Sequence, residues 1–270
     1  MQLTDNDFIR LRDFMYNNFG VNLAQKRSLI EGRLQSVVKE KGFNNFADFI
    51  DNLISDKSGG EVSLLVSKLT TNFTYFMREE QHFDFLRNTV LPDFLPKIKD
   101  KNLCIWSAGC SSGEEPYTIA MVLDDYFGNK KNGIDSRVLA SDISEKVLSS
   151  AKSGIYGDDR MNKLSPEWKK KYFNDLGQDS FQVKPLLKQE VIFRKFNLME
   201  PVFKFKRKFH VIFCRNVMIY FDSETRSTLA EKFCQNLVPG GYLFIGMSES
   251  LINSKTSLEY VKPSIYRKPV

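Results

Sequence analysis

Four short stretches of this 270-residue chain combine polar side chains with backbone able to turn tightly. The first is Trp-Ser-Ala-Gly-Cys-Ser-Ser-Gly-Glu-Glu-Pro-Tyr, from Trp106 to Tyr117. Gly109 and Gly113 allow tight turns and a close approach of backbone to a ligand. The stretch lacks G-x-G-x-x-G, so a dinucleotide pyrophosphate is not its natural guest. Glu114 and Glu115 stand where a phosphate would otherwise bind. Carboxylates there suit a ligand with an amine, hydroxyls or a sulfonium, and they also favour the helix dipole. The second is Asp142, at the end of an apolar run. An acid there commonly takes ribose hydroxyls. It could also cap the next helix, a task open to Ser144 as well. The third runs from Cys214 to Phe221, where Arg215 and Asn216 follow an apolar strand and Tyr220 is within reach. A buried Arg-Asn pair needs partners, in a ligand site or in a structural network. In the fourth, from Thr70 to Glu79, Asn72, Thr74 and Arg78 alternate with aromatic residues.

These stretches need elements to hold them. Residues 1–70 read as short helices, over 4–18 with Thr4 as N-cap, over 24–41, over 46–54, and from about Glu61. In the second, Ile30, Leu34, Val37 and Val38 recur at helical spacing. From Leu103 the texture changes to alternation. Strand LCIWSA, a helix over 115–127, strand SRVLASD, helix ISEKVLSSAKSG, and strands EVIFRKFNL, FHVIFCRN and GYLFIGMS follow, the last two separated by helix SETRSTLAEKFCQNL. Such alternation argues for a largely parallel sheet covered on both faces, with ligands at the carboxyl ends of its strands. Residues 156–189 break the pattern with a helix (SPEWKKKYF) and a strand (FQVK), and read as an insertion. The division expected is a helical domain over 1–70, a junction over 71–90 contributing to the ligand site, and an α/β domain over 91–270.

Composition narrows the function classes. Apolar residues make up 42% and charged residues 27%, an ordinary globular balance. No run is apolar enough to span a membrane, and the acidic, amphipathic start of the chain is no secretion signal. A cytoplasmic location is expected. Cys104, Cys110, Cys214 and Cys234 form no C-x-x-C pair, and His82 and His210 are the only histidines, so neither a disulfide framework nor a zinc site is expected. The net charge of +6 invites a nucleic-acid or acidic-partner reading. Its excess lies between Arg160 and His210, which hold thirteen Lys/Arg against five Asp/Glu. A solvated face explains it as well.

Taken together, TTNFTYFMRE, WSAGCSSGEEPYTIA, LASDIS, FNLME and FCRNVMIYF resemble, in order and over nearly the whole chain, the chemotaxis receptor methyltransferases known as CheR. Met77 and Ser112 depart mildly from that pattern, where the family has phenylalanine and threonine. The resemblance implies a Rossmann-like α/β sheet with a small N-terminal all-helical domain and a small β insertion. It implies methylation of glutamate side chains on methyl-accepting chemotaxis receptors, with S-adenosylmethionine as methyl donor, S-adenosylhomocysteine as product, and no metal. The implied cofactor set is Asn72, Thr74, Arg78, Ala108, Glu114, Asp142, Asn197, Leu198, Arg215 and Asn216. Arg78 and Tyr220 would position the reacting groups. A glutamate carboxylate has an unperturbed pKa of about 4.3 and needs no general base. The helical domain and the insertion would contact the receptor's helical bundle, with Lys26 and Arg33 on a docking face of the second helix. The turn in NDLGQDSFQ looks shorter than in family members that tether to a receptor tail, so weak tail binding or none is expected. A monomer is expected, with neither nucleic acid nor membrane insertion.

Three other readings stand beside this one, the third being a module that holds the cofactor without catalysis, against which Glu114, Asp142, Arg215 and Tyr220 argue. Gly109-Cys-Ser-Ser-Gly113 matches G-x-S-x-G, a serine-hydrolase signature with Ser111 as nucleophile. Its only downstream histidine is His210, at the start of a strand. A nucleic-acid methyltransferase is prompted by the pI of about 9.0. Amino-methylating enzymes of that kind carry an N-P-P-Y-like tetrapeptide where this chain has R-N-V-M-I-Y.

Overall fold

The computed structural model describes residues 1–56, 60–69, 73–131 and 133–270. Four helices come first: α1 (Asp5–Phe19), α2 (Arg27–Glu40), α3 (Phe46–Ser55) and α4 (Gly60–Leu69). Thr4 caps α1 by accepting from the Asp7 N–H at 3.2 Å, and Gly20 ends it in left-handed backbone. Helix α2 buries Ile30, Leu34, Val37 and Val38, the stripe its spacing predicts. It starts at Arg27, later than the sequence suggests, because the Lys26 N–H closes a turn onto the Leu23 carbonyl at 2.9 Å.

After the junction comes a helical run absent from the sequence reading: α5 (Gln81–Phe85), one π turn (Leu86–Val90) and α6 (Leu91–Phe94). The wide turn precedes Pro92, whose ring would clash with the carbonyl four residues back in a regular helix. Then β1 (Ile105–Ala108), α7 (Glu114–Phe127), β2 (Val138–Asp142) and α8 (Glu145–Ser153) alternate. The insertion holds β3 (Ile155–Gly157), α9 (Pro166–Tyr172), β4 (Phe173–Gly177), β5 (Ser180–Val183) and α10 (Pro185–Lys188). It is a three-stranded antiparallel sheet in the order β3-β5-β4, more than the single strand expected. Gln178 and Asp179, both at positive φ, close β4 onto β5 in two residues.

The main sheet resumes with β6 (Val191–Lys195), β7 (Phe209–Cys214), α11 (Ser223–Asn236), β8 (Leu237–Ile245), β9 (Glu259–Lys262) and β10 (Ile265–Arg267). Its order is β6-β2-β1-β7-β8-β10-β9. The pairs from β6 to β8 are parallel, whereas β10 runs antiparallel to both neighbours. The order reverses between β1 and β7, and a ligand crevice belongs at the carboxyl ends of those strands. One face of the sheet carries Trp106, with Phe196, Phe203, Phe205, Phe209 and Phe233 around it. That core is continuous with the core of the N-terminal helices. The helical domain is therefore seated on the sheet.

Candidate active site

Strand β1 ends in a loop that only tight backbone can make. Gly109, Ser111 and Gly113 all have positive φ. A Cβ on Gly109 would lie 2.5 Å from Val217 Cγ2, and one on Gly113 2.8 Å from the Ala151 Cβ. The Gly109 and Cys110 N–H groups donate to the Ser141 carbonyl at 2.8 and 2.9 Å. Asp142, at the end of β2, accepts from the Ser111 and Ser144 N–H groups, both at 2.9 Å. Burial pushes the Asp142 carboxyl up, against the pull of those N–H donors. Ser144 is the N-cap of α8. Asp142 thus braces two loops and still faces the cavity.

The carboxyl end of β7 carries the second half. Arg215 is buried and lies over the Phe83 ring, 5.2 Å from its centroid. Its Nε and Nη2 donate to Glu79 Oε2 at 3.3 and 3.1 Å, its Nη2 also to the Arg78 carbonyl, and its Nη1 sits 3.3 Å from Glu115 Oε2. Glu115 takes the Ser107 hydroxyl at 2.7 Å. Burial raises the Glu115 pKa despite Arg215 and Ser107. Asn216 adopts φ 60°, and its N–H donates to Glu249 at 3.0 Å. The Arg-Asn pair therefore has the structural network the sequence allowed for, and both residues also line the cavity.

The junction and the helical domain close the rest. Arg78 Nη1 donates to the Phe73 carbonyl at 2.9 Å. The Thr74 carbonyl is held by Arg160 of the insertion, whose guanidinium lies 5.2 Å from the Phe73 ring centroid. Asn197 Nδ2 donates to the Asn18 carbonyl at 2.9 Å, and the Asn22 N–H to the Tyr220 carbonyl at 2.8 Å. Thr74, Arg78, Asp142, Asn197, Leu198, Arg215, Asn216 and Tyr220 meet on one cavity, together with Phe19, Val21 and Val66 of the helical domain. Asn72 lies outside the described residues. Ala108 and Glu114 are not on the wall. Ala108 is buried at the end of β1, and Glu114 turns back to take the Ser112 hydroxyl and pair with Arg160 at 3.4 Å. Glu115 faces the cavity in its place. Adjacent residues at a helix start point about 100° apart, and the sequence does not say which one turns inward.

Two family models match. "CheR methyltransferase, all-alpha domain" covers residues 6–70, and "CheR methyltransferase, SAM binding domain" covers residues 72–267. The chain belongs to the CheR methyltransferase family. It is 49% identical to "Chemotaxis protein methyltransferase" of Borreliella burgdorferi, over 99% of this chain and 96% of that protein. It is 34% identical to "Chemotaxis protein methyltransferase 1" of Pseudomonas aeruginosa, over 99% of each. It is 35% identical to the Escherichia coli "Chemotaxis protein methyltransferase", over 93% of this chain and 86% of that protein. The protein is an S-adenosylmethionine-dependent methyltransferase of chemotaxis.

The residues of this CheR methyltransferase fit that cofactor. Asp142 offers a carboxylate for ribose hydroxyls beside Ile143, Phe196 and Leu198, an apolar wall suited to adenine. Glu115 and Arg215 offer both signs of charge to the amino-acid end. The hydrolase reading fails on position. His210 stands at the amino end of β7, where its Nδ1 accepts from the Cys104 N–H at 3.0 Å. Ser111 is at the opposite, carboxyl end of the sheet. His82 is paired with Ser264 at 2.6 Å. Among the described residues, no His/Cys/Asp/Glu group could hold a metal, and no helix is long and apolar enough to cross a membrane. On α2, Lys26 is exposed at the N-cap, just before the helix, and Arg33 Nη1 donates to the Lys68 carbonyl at 3.1 Å.

Proposed function

We propose that the acceptor is a glutamate side chain on a methyl-accepting chemotaxis receptor, converted to its γ-methyl ester. The observation that carries this reading is the presence of both Arg78 and Tyr220 on the cavity wall, with neither histidine lining it. A carboxylate acceptor is already ionised at neutral pH and needs only placement. Arg78 attracts and orients it. Tyr220 aligns the acceptor oxygen or the donor. Phe19, Val21 and Val66 exclude water from one side of the cavity. When bound, the cofactor supplies an electrophilic methyl on a sulfonium, and the electron pair of the broken S–C bond leaves with sulfur. Aligned approach can supply about 7–11 kcal/mol of the barrier. Overly strong pairing with Arg78 would stabilise the carboxylate ground state and slow transfer, so its role is positioning. The relatives' names, chemotaxis protein methyltransferases, support a receptor of that system as partner. Lys26 and Arg33 belong to the domain proposed to dock on it.

The test is transfer of labelled methyl from S-adenosylmethionine to receptor fragments, followed by mild alkali. An ester releases the label as methanol. Alkali-stable label, or label on nucleic acid instead, would overturn the assignment.

A further inference from the structure

Glu79 sits in left-handed backbone at φ 57°, two residues after Met77 at φ 60°. A residue with a Cβ stays in that region only where its surroundings over-determine it. Here the side chain supplies the hold. Glu79 Oε2 accepts from Arg215 at 3.1 and 3.3 Å. Glu79 Oε1 accepts from Asn216 Nδ2 at 3.3 Å and from the Met247 N–H at 3.2 Å. His82 Nδ1 stands 3.4 Å from Oε2, while its Nε2 pairs with Ser264 Oγ at 2.6 Å. Burial would raise the Glu79 pKa, but Arg215, the Met247 N–H and Asn216 hold it below the usual carboxylate range. His82 is fully buried against Phe244, and burial, then Arg215, pushes its pKa down to about 4. An uncharged imidazole leaves Arg215 as the strong counter-charge to Glu79.

One carboxylate therefore ties together the junction, the end of β7 and the end of β8. It does so without lining the cavity. We propose that Glu79 is a positioning residue for methyl transfer: it fixes Arg215 and Asn216 against the junction, so that Arg78 and the β7 end face the cavity in a single arrangement. The other carboxylate on Arg215 is Glu115, on the cavity wall. Without Glu79 the guanidinium is drawn toward Glu115, and the Arg78 carbonyl loses the partner that Glu79 holds in place. The inference rests on the reading that Arg78 and Tyr220 place the acceptor.

The test compares Glu79→Gln and Glu79→Asp in the full chain. The Gln variant keeps the volume, but its amide nitrogen can only donate, as can Arg215. The Asp variant keeps the charge with a shorter reach. Turnover on receptor fragments, affinity for S-adenosylhomocysteine by calorimetry, melting temperature and the Arg215 Nε–H NMR resonance are measured for each. In the Gln variant, kcat is expected to fall about 10- to 100-fold, the scale of a misplacement near 1 Å. The fall exceeds the loss of product affinity, the fold melts within a few degrees of the parent, and the Arg215 resonance moves. The Asp variant recovers part of kcat. A Gln variant with kcat within about twofold of the parent, or an unmoved Arg215 resonance, overturns the proposal. So does an Asp variant no better than Gln. If the parent methylates no receptor fragment, the substrate reading falls, while the Arg215 resonance and product affinity still decide the role of Glu79.

Discussion

Asp142 shows how one side chain can brace two loops and still reach a cavity. Its oxygens brace Ser111 and Ser144, yet it remains on the cavity wall. Asp142→Ala is expected to weaken S-adenosylhomocysteine binding by about 1.5–3 kcal/mol, the scale of a hydrogen bond to a charged group. Asp142→Asn, which keeps an acceptor, should lose less, and calorimetry would read both. Unchanged affinity in both variants would move the ribose elsewhere. Arg78→Ala and Tyr220→Phe should lower turnover more than cofactor affinity, because positioning acts on the transition state. Equal losses in the two quantities would make them plain cofactor ligands. Burial lowers the pKa of both histidines, His82 to about 4. Their charged forms are disfavoured relative to a free imidazole, and neither histidine lines the cavity. Turnover should therefore stay flat between about pH 6.5 and 8. A rate that followed a single group through that window would contradict the base-free mechanism.

At the scale of elements, the insertion does more than decorate the sheet. Phe76 of the junction is buried against Tyr156 and Phe173, at ring-centroid distances of 4.9 and 5.2 Å. Arg160 donates to the Thr74 carbonyl, pairs with Glu114 and covers Phe73. The insertion thus holds the outer edge of the cavity. Arg160→Ala should weaken cofactor binding several-fold with little change in melting temperature, since the guanidinium is partly exposed. Arg160→Lys keeps the charge but not the forked geometry, and should recover only part of the loss. An Arg160→Ala variant with parental affinity would separate the insertion from the cofactor site.

At the scale of the whole molecule, the cavity exists because a helical domain sits on a sheet. Gly20 marks the closeness of that seat: a Cβ there would lie 2.5 Å from Met199 Sδ. Of the thirteen basic residues over 160–208, five pair with carboxylates: Arg160 with Glu114, Lys169 with Asp158, Lys171 with Asp124, Lys195 with Glu145 and Arg207 with Asp100. Lys26 lies exposed on the helical domain, whereas Arg33 is engaged with the end of α4. Lys26→Glu alone is therefore the cleaner test of docking. It should raise the receptor KM at low salt and leave cofactor affinity alone. The difference should shrink with added salt, because surface charges are screened over about 10 Å at 0.1 M. An unchanged KM at low salt would place the docking face elsewhere.

The sequence by itself determined what local rules control. Helical spacing in α2, the Thr4 cap, the glycine loop after β1 and the alternation of strand and helix were all legible, because each depends on near neighbours in the chain. So were the family motifs that put Asp142, Arg215, Asn216 and Tyr220 together. The helix from Gln81 was missed although buried Phe83, Leu86, Val90 and Phe94 recur at helical spacing, with Pro92 and Pro96 interrupting the pattern. Strand β9 was missed because all four of its residues are exposed and show no alternation. Only tertiary structure decided that Glu115 faces the cavity while Glu114 is buried away from it, since that choice depends on Arg215 from one side and Arg160 from the other. The same holds for Glu79, whose partners Arg215, Asn216 and Met247 lie more than a hundred residues away in the chain. Long-range pairing of charges follows from how the sheet brings strand ends together, and no local pattern encodes it.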